Sequence, residues 1–204
     1  MKKALIIALA GLALTTSASV FAAGDAAKGK ALTASCVACH GADGNSVNPI
    51  WPKIAGQSEE YITKQLNDFR SGARKDATMT AMAMAIASDD DVPHIAAYFA
   101  SQKQKPGVAD EKLVRSGGDL YKGGKSSSKV TACAACHGVT GNGNAKSKFP
   151  KISGQHNKYI VNQLKAFKAG TRANDPGKMM QDIAKNMTDA DMEAVAEFVT
   201  GLRD

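Results

Sequence analysis

Aromatic residues are scarce: Phe, Tyr and Trp make up 5% of the 204 residues. Something other than aromatic side chains is therefore expected to fill the interior. Cysteine is missing everywhere except at Cys36, Cys39, Cys133 and Cys136. Any thiol chemistry must be built from those four positions. Beyond the first residues, no apolar run approaches the ~20 positions that a membrane-spanning helix needs. No basic stretch is interleaved with aromatics, so a nucleic-acid partner is not expected. The period-two alternation of strands is also missing, which leaves an all-α reading.

The chain begins with a charged pair, Lys2 and Lys3, then an apolar run from Ala4 to Leu14, then small residues ending in "SVFA". That order is the pattern of a secretory signal peptide. Residues 1–22 are expected to be removed after Ala22. The mature chain would then be soluble and exported.

The mature sequence repeats itself. "CVACHGADGN" at 36–45 precedes "WPKIAGQSEEYITKQLNDFRSGAR" at 51–74. "CAACHGVTGN" at 133–142 precedes "FPKISGQHNKYIVNQLKAFKAGTR" at 149–172. Two units are too few for a solenoid and indicate a duplicated domain. The boundaries read as 23–103 for the first domain, 104–111 for a linker carrying Pro106 and Gly107, and 112–204 for the second. Charge is uneven between them. Residues 23–104 hold eight basic and nine acidic side chains, while residues 105–204 hold sixteen and ten. A basic lobe can steer toward acidic partners or an anionic surface.

The periodicity within each half is helical. Tyr61, Ile62, Gln65, Leu66 and Phe69 fall at helical spacing, with Ser58 as the expected cap. The second half repeats this with Asn157 as the expected cap and Gly170 as the stop. Thr188 and Asp191 have capping-box spacing ahead of Met192, Val195, Ala196 and Val199. In the first half Pro93 would break a helix begun at Ser88, so that helix is expected to start near Asp90 or Asp91.

Each C-x-x-C-H group could hold zinc, form a redox disulfide, act as a nucleophile or bind haem. Zinc needs four ligands, and zinc ribbons place a second C-x-x-C ~15–20 residues on. Here Cys39 and Cys133 are 94 apart. The other histidines, His94 and His156, do not occupy matching positions and read as surface residues. A redox disulfide expects a strand–helix setting, and none precedes these motifs. A cysteine and the histidine next to it on a helix point in different directions, so they do not make a nucleophile–base pair. Covalent haem c remains. Cys36 and Cys39 would bond one haem with His40 on its iron. Cys133 and Cys136 would bond a second, with His137 on its iron. Two covalent haems would also supply the missing interior. The opposite face of each iron decides function: an open position permits peroxide or oxygen chemistry, whereas a methionine favours electron transfer. Met79, Met82 and Met84 follow the first motif at about the same distance as Met179 and Met180 follow the second.

The two halves, the C-x-x-C-H-G-x-x-G-N starts, the P-K-I-x-G-Q segments and the "MTAM" stretch resemble the dihaem cytochrome c4 family. The resemblance covers essentially the whole mature chain. It implies two tandem class I cytochrome c folds with their haem edges facing across the interface. It implies His/Met iron in both, with Met79 and Met180 as the methionine ligands. Met82 competes with Met79, because counting forward from Arg74 and Arg172 pairs Met82 with Met180. The resemblance further implies that the carbonyls of Pro52 and Pro150 accept a hydrogen bond from His40 and His137. Family members carry electrons in the periplasm, some attached to the membrane surface. The implied partners are a quinol-oxidising cytochrome complex as donor, a terminal oxidase as acceptor, and the haem-attachment machinery during maturation. No catalytic residue is expected. The rival reading is a haem oxidoreductase, or its electron-transfer subunit, acting on peroxide or sulfur compounds.

Overall fold

The computed structural model describes residues 24–203. The expected signal peptide at 1–22 lies outside the described residues. The first half contains α1 (Ala26–Leu32), α2 (Ala34–His40), α3 (Glu59–Ser71), α4 (Ala77–Met84) and α5 (Asp91–Ala100). The second contains α6 (Glu111–Gly123), α7 (Ala134–His137), α8 (Asn157–Ala169), α9 (Met179–Ala184) and α10 (Asp189–Gly201). Among the described residues the only β pairing is two isolated bridges, Lys125 with Val130 and Asn144 with Phe149. The fold is all-α, as expected.

Each lobe is framed by its first and last helices. α1 packs on α5, and α6 packs on α10. The crossings require glycine. A Cβ on Gly29 would lie 1.9 Å from the His94 carbonyl oxygen, and one on Gly117 would lie 1.9 Å from that of Ala194. Removing the side chain lets the helix backbones approach. Ile62, Ile95, Ala96 and Phe99 form the first core, with Tyr98 at its edge. Leu120, Tyr121, Leu164, Met187, Met192 and Val199 belong to the second.

The sequence signals for helix ends are mostly used as read. Ser58 Oγ accepts from Tyr61 N–H, and Thr188 and Asp191 form a reciprocal capping box. α5 starts at Asp91, so Pro93 sits in the first turn, where its missing N–H costs nothing. The start of α8 differs from expectation. Asn157 is the first helical residue, and His156 occupies the cap position without a side-chain cap bond. The His156 ring is engaged elsewhere: its Nε2 lies 2.9 Å from the Ser46 carbonyl oxygen in the other lobe.

The segment expected as a linker is strapped down. Asn45 Nδ2 donates to the Lys103 carbonyl, and Lys105 N–H donates back to Asn45 Oδ1 at 2.7 Å. Lys53 Nζ donates to the Lys105 carbonyl at 2.6 Å. At its far end, Asp110 N–H reaches Glu197 Oε2 at 2.8 Å. Residues 103–110 are thereby pinned to both lobes.

Candidate haem centres

α2 and α7 each end on the histidine of a C-x-x-C-H group. The next residues, Gly41 and Gly138, both have φ of 78°, a backbone shape that a side chain disfavours. This turn stops the helix directly after the histidine. Cys36 and Cys39 are three residues apart on α2 and so share a face. No disulfide joins any two of the four cysteines. Burial raises the pKa of Cys36 and pushes that of Cys133 up to about 11. Among the described residues, no three His, Cys, Asp or Glu side chains converge as a metal cluster, as a zinc site would require.

His40 Nδ1 lies 2.9 Å from the Pro52 carbonyl oxygen, and His137 Nδ1 lies 2.9 Å from that of Pro150. A carbonyl can only accept, so Nδ1 must carry the proton in each ring. Nε2 of the neutral ring is then left with its lone pair. Burial lowers both histidine pKa values, with the carbonyl bond opposing it. The neutral, ligating tautomer is favoured.

A continuous cavity of about 580 Å³ runs through both lobes. Cys36, Cys39 and His40 line it with Met79 and Met82, and Cys133, Cys136 and His137 line it with Met179 and Met180. Met79 and Met180 are half-buried, whereas Met82 and Met179 are both 39% exposed. Met84 is more exposed and does not line the cavity. The helices α4 and α9 can be matched through their fully buried alanines, Ala83 and Ala184. Met79 and Met180 each stand four residues before that alanine. The extra turn Pro176–Lys178 ahead of α9 accounts for the shifted count from Arg172.

The cytochrome c family model matches residues 26–103 and 121–203. Cytochrome c4 of Pseudomonas aeruginosa is 46% identical over 203 residues, covering 99% of this chain and all of that one. The crystal structure of reduced recombinant cytochrome c4 from Pseudomonas stutzeri superposes with a TM-score of 0.85 at 42% identity, over 89% of this chain and all of the other. A thiosulfate dehydrogenase electron acceptor of Stutzerimonas stutzeri is 38% identical over 80% of this chain and 76% of its own length. The chain belongs to the cytochrome c4 family. It is a two-domain c-type cytochrome carrying two covalent haems, and its function is electron transfer.

The residues fit that cofactor. Each lobe of this cytochrome c4 family member brings two thiols, one histidine nitrogen lone pair and methionine thioethers to one cavity with largely apolar walls. The thiols are the attachment points of c-type haem, and the imidazole and a thioether are its iron donor set.

Sequence reasoning assigns no role to the polar residues of the repeat, and these build the contact between lobes. Lys53 N–H donates to Gln155 Oε1 at 2.8 Å, and Gln155 Nε2 donates to the Lys53 carbonyl at 2.7 Å. The equivalent pair does the same: Lys151 N–H to Gln57 Oε1 at 3.0 Å, and Gln57 Nε2 to the Lys151 carbonyl at 2.8 Å. Arg74 reaches Tyr159 and Gln163, while Arg172 reaches Tyr61 and Gln65. The available signal was that these polar residues stand at matched positions in both halves. His94 and His156 are not simple surface residues. Both are half-buried: His94 Nδ1 accepts from Asp25 N–H at 2.8 Å, and His156 bridges to Ser46.

Proposed function

We propose that this protein is a periplasmic dihaem electron carrier that accepts single electrons from a quinol-oxidising cytochrome complex and delivers them to a terminal oxidase. Cys36 and Cys39 would anchor the first haem and Cys133 and Cys136 the second. His40 and Met79 would ligate the first iron, and His137 and Met180 the second. Haem bound in this way supplies a one-electron couple whose potential a methionine ligand raises. Pro52 and Pro150 hold the two imidazoles by Nδ1, so each Nε2 lone pair is presented in a fixed orientation. The largely apolar cavity wall excludes water, and α4 and α9 each bring a half-buried methionine to it.

The observation that carries this reading is the matched pair of half-buried methionines, each four residues before a fully buried alanine. A methionine on each iron would leave neither an open position for peroxide chemistry. No helix among the described residues is long and apolar enough to cross a membrane. Association with a membrane would then be peripheral.

Redox titration of the purified protein, followed by its visible spectrum, tests the reading. Two one-electron steps and low-spin His/Met spectra from both centres are expected. A high-spin centre that binds added cyanide or peroxide would overturn it. A second reading keeps the carrier and changes its donor. The relative that accepts electrons from thiosulfate dehydrogenase favours a sulfur-compound oxidoreductase as donor. Stopped-flow reduction by each purified donor class separates the two.

A further inference from the structure

We propose that Gln155 and Gln57 are positioning residues that act across the lobe boundary, each tuning the axial histidine of the opposite lobe through one peptide group. The inference rests on the reading of His40 and His137 as iron ligands. The peptide between Pro52 and Lys53 has two partners. Its carbonyl accepts from His40 Nδ1 at 2.9 Å in its own lobe, and its N–H donates to Gln155 Oε1 at 2.8 Å in the other. The peptide between Pro150 and Lys151 repeats this with His137 at 2.9 Å and Gln57 Oε1 at 3.0 Å.

The amide orientations are forced. Gln155 Oε1 also accepts from His156 N–H at 3.0 Å, and Gln57 Oε1 also accepts from Ser58 N–H at 3.1 Å. Each Nε2 donates to the lysine carbonyl of the same cross-lobe residue. Only one of the two amide flips satisfies these partners. Gln57, Gln155 and Lys53 are all under a tenth exposed, so water does not compete for these bonds.

An acceptor on a peptide N–H shifts electron density to the carbonyl oxygen, and linked hydrogen bonds strengthen one another. Gln155 thus makes the Pro52 oxygen a better acceptor for the His40 Nδ1 proton. A stronger bond at Nδ1 raises the basicity of Nε2. A more basic ligand favours the ferric state and lowers the potential. The crossing means that the potential of each centre depends on the lobes being docked.

The test uses the full-length haem-loaded protein with Gln155→Leu and Gln57→Leu. Midpoint potentials are assigned to lobes through the hyperfine-shifted proton signals of the haems and axial ligands. Gln155→Leu is expected to raise the first-lobe potential, shifting the equilibrium for electron exchange between haems by about two- to threefold, and to move the His40 ring signals. The second-lobe signals should stay in place. Gln57→Leu should do the reverse. Gln155→Glu keeps an acceptor at the Lys53 N–H and should hold the first-lobe potential at or below its original value. If Gln155→Leu moves its own lobe, both lobes equally or neither, the proposal fails while the ligation reading stands. If the unsubstituted protein lacks axial-histidine signals, both fail.

Discussion

Arg172 donates from Nη2 to the hydroxyl of Tyr61 at 2.9 Å, across the boundary between the lobes. Arg74 answers with a 3.1 Å bond to Tyr159. Each guanidinium also lies over a phenyl ring of its own lobe, 4.6 Å from the Phe69 centroid and 4.5 Å from that of Phe167. Burial works against charge on Arg172, but Tyr61 and Tyr159 outweigh it and hold the group protonated. A duplicated set of polar residues has therefore become a self-complementary interface.

Tyr61→Phe removes one bond from a buried charged group and should cost about 1.5–3 kcal/mol. Arg172→Ala also removes the stack on Phe167 and should cost about 2–5 kcal/mol. Denaturant unfolding of the haem-loaded protein measures both. The double variant should lose less than the sum of the two losses, because the residues share an interaction.

Met79→Ala and Met180→Ala should each open one iron and lower the potential of that centre. About half of the weak red sulfur-to-iron band of the oxidised protein should disappear in either variant, since each haem would contribute one methionine bond under the proposed ligation. Met82→Leu should leave the band whole. Full loss of one centre's band in Met82→Leu would transfer the ligand role to Met82.

Much of this molecule was legible because its chemistry is local. C-x-x-C-H places two thiols and an imidazole by helix geometry alone, and Ser58, Thr188 and Gly170 mark helix ends through their own backbone bonds. The methionine could not be fixed in the same way. Its register depends on the inserted turn at Pro176–Lys178 and on the buried Ala83 and Ala184, which are tertiary facts. His156 was misread for a similar reason. Its partner, Ser46, is 110 residues away. The lobe interface was present in the sequence as matched Lys, Gln, Tyr and Arg, yet nothing local says that Gln155 reaches Lys53 rather than solvent.

Acid should loosen the lobes through His156. Its Nε2 faces the Ser46 carbonyl, so that nitrogen carries the proton. Burial lowers its pKa, the Ser46 bond opposes this, and Lys53 lowers it further. The unfolded chain, with its histidine near the usual ~6.5, then binds the proton more readily than the folded one. Stability is full above that value and falls as pH drops from about 6.5 toward the lower folded pKa. His156→Gln keeps a donor toward Ser46 but cannot titrate. Unfolding free energies across this window should show a shallower pH slope for the variant.

The second lobe carries the excess of basic residues, and it should be the one that docks acidic partners. Residues 105–204 hold sixteen basic against ten acidic side chains, so the excess survives two propionates per haem. Lys146, Lys148 and Lys158 are exposed, and Lys148 lines the cavity. Charges at a docking rim act mainly on association rate, which salt then screens. Reversing the three lysines to glutamate should slow bimolecular electron exchange with an acidic partner by about tenfold or more at low salt. The difference should shrink as ionic strength rises, with both potentials nearly unchanged. If stopped-flow rates of the triple variant keep the original salt dependence, docking does not use this lobe. The near-neutral first lobe, with exposed Val47 and Ile50, would then be the contact face.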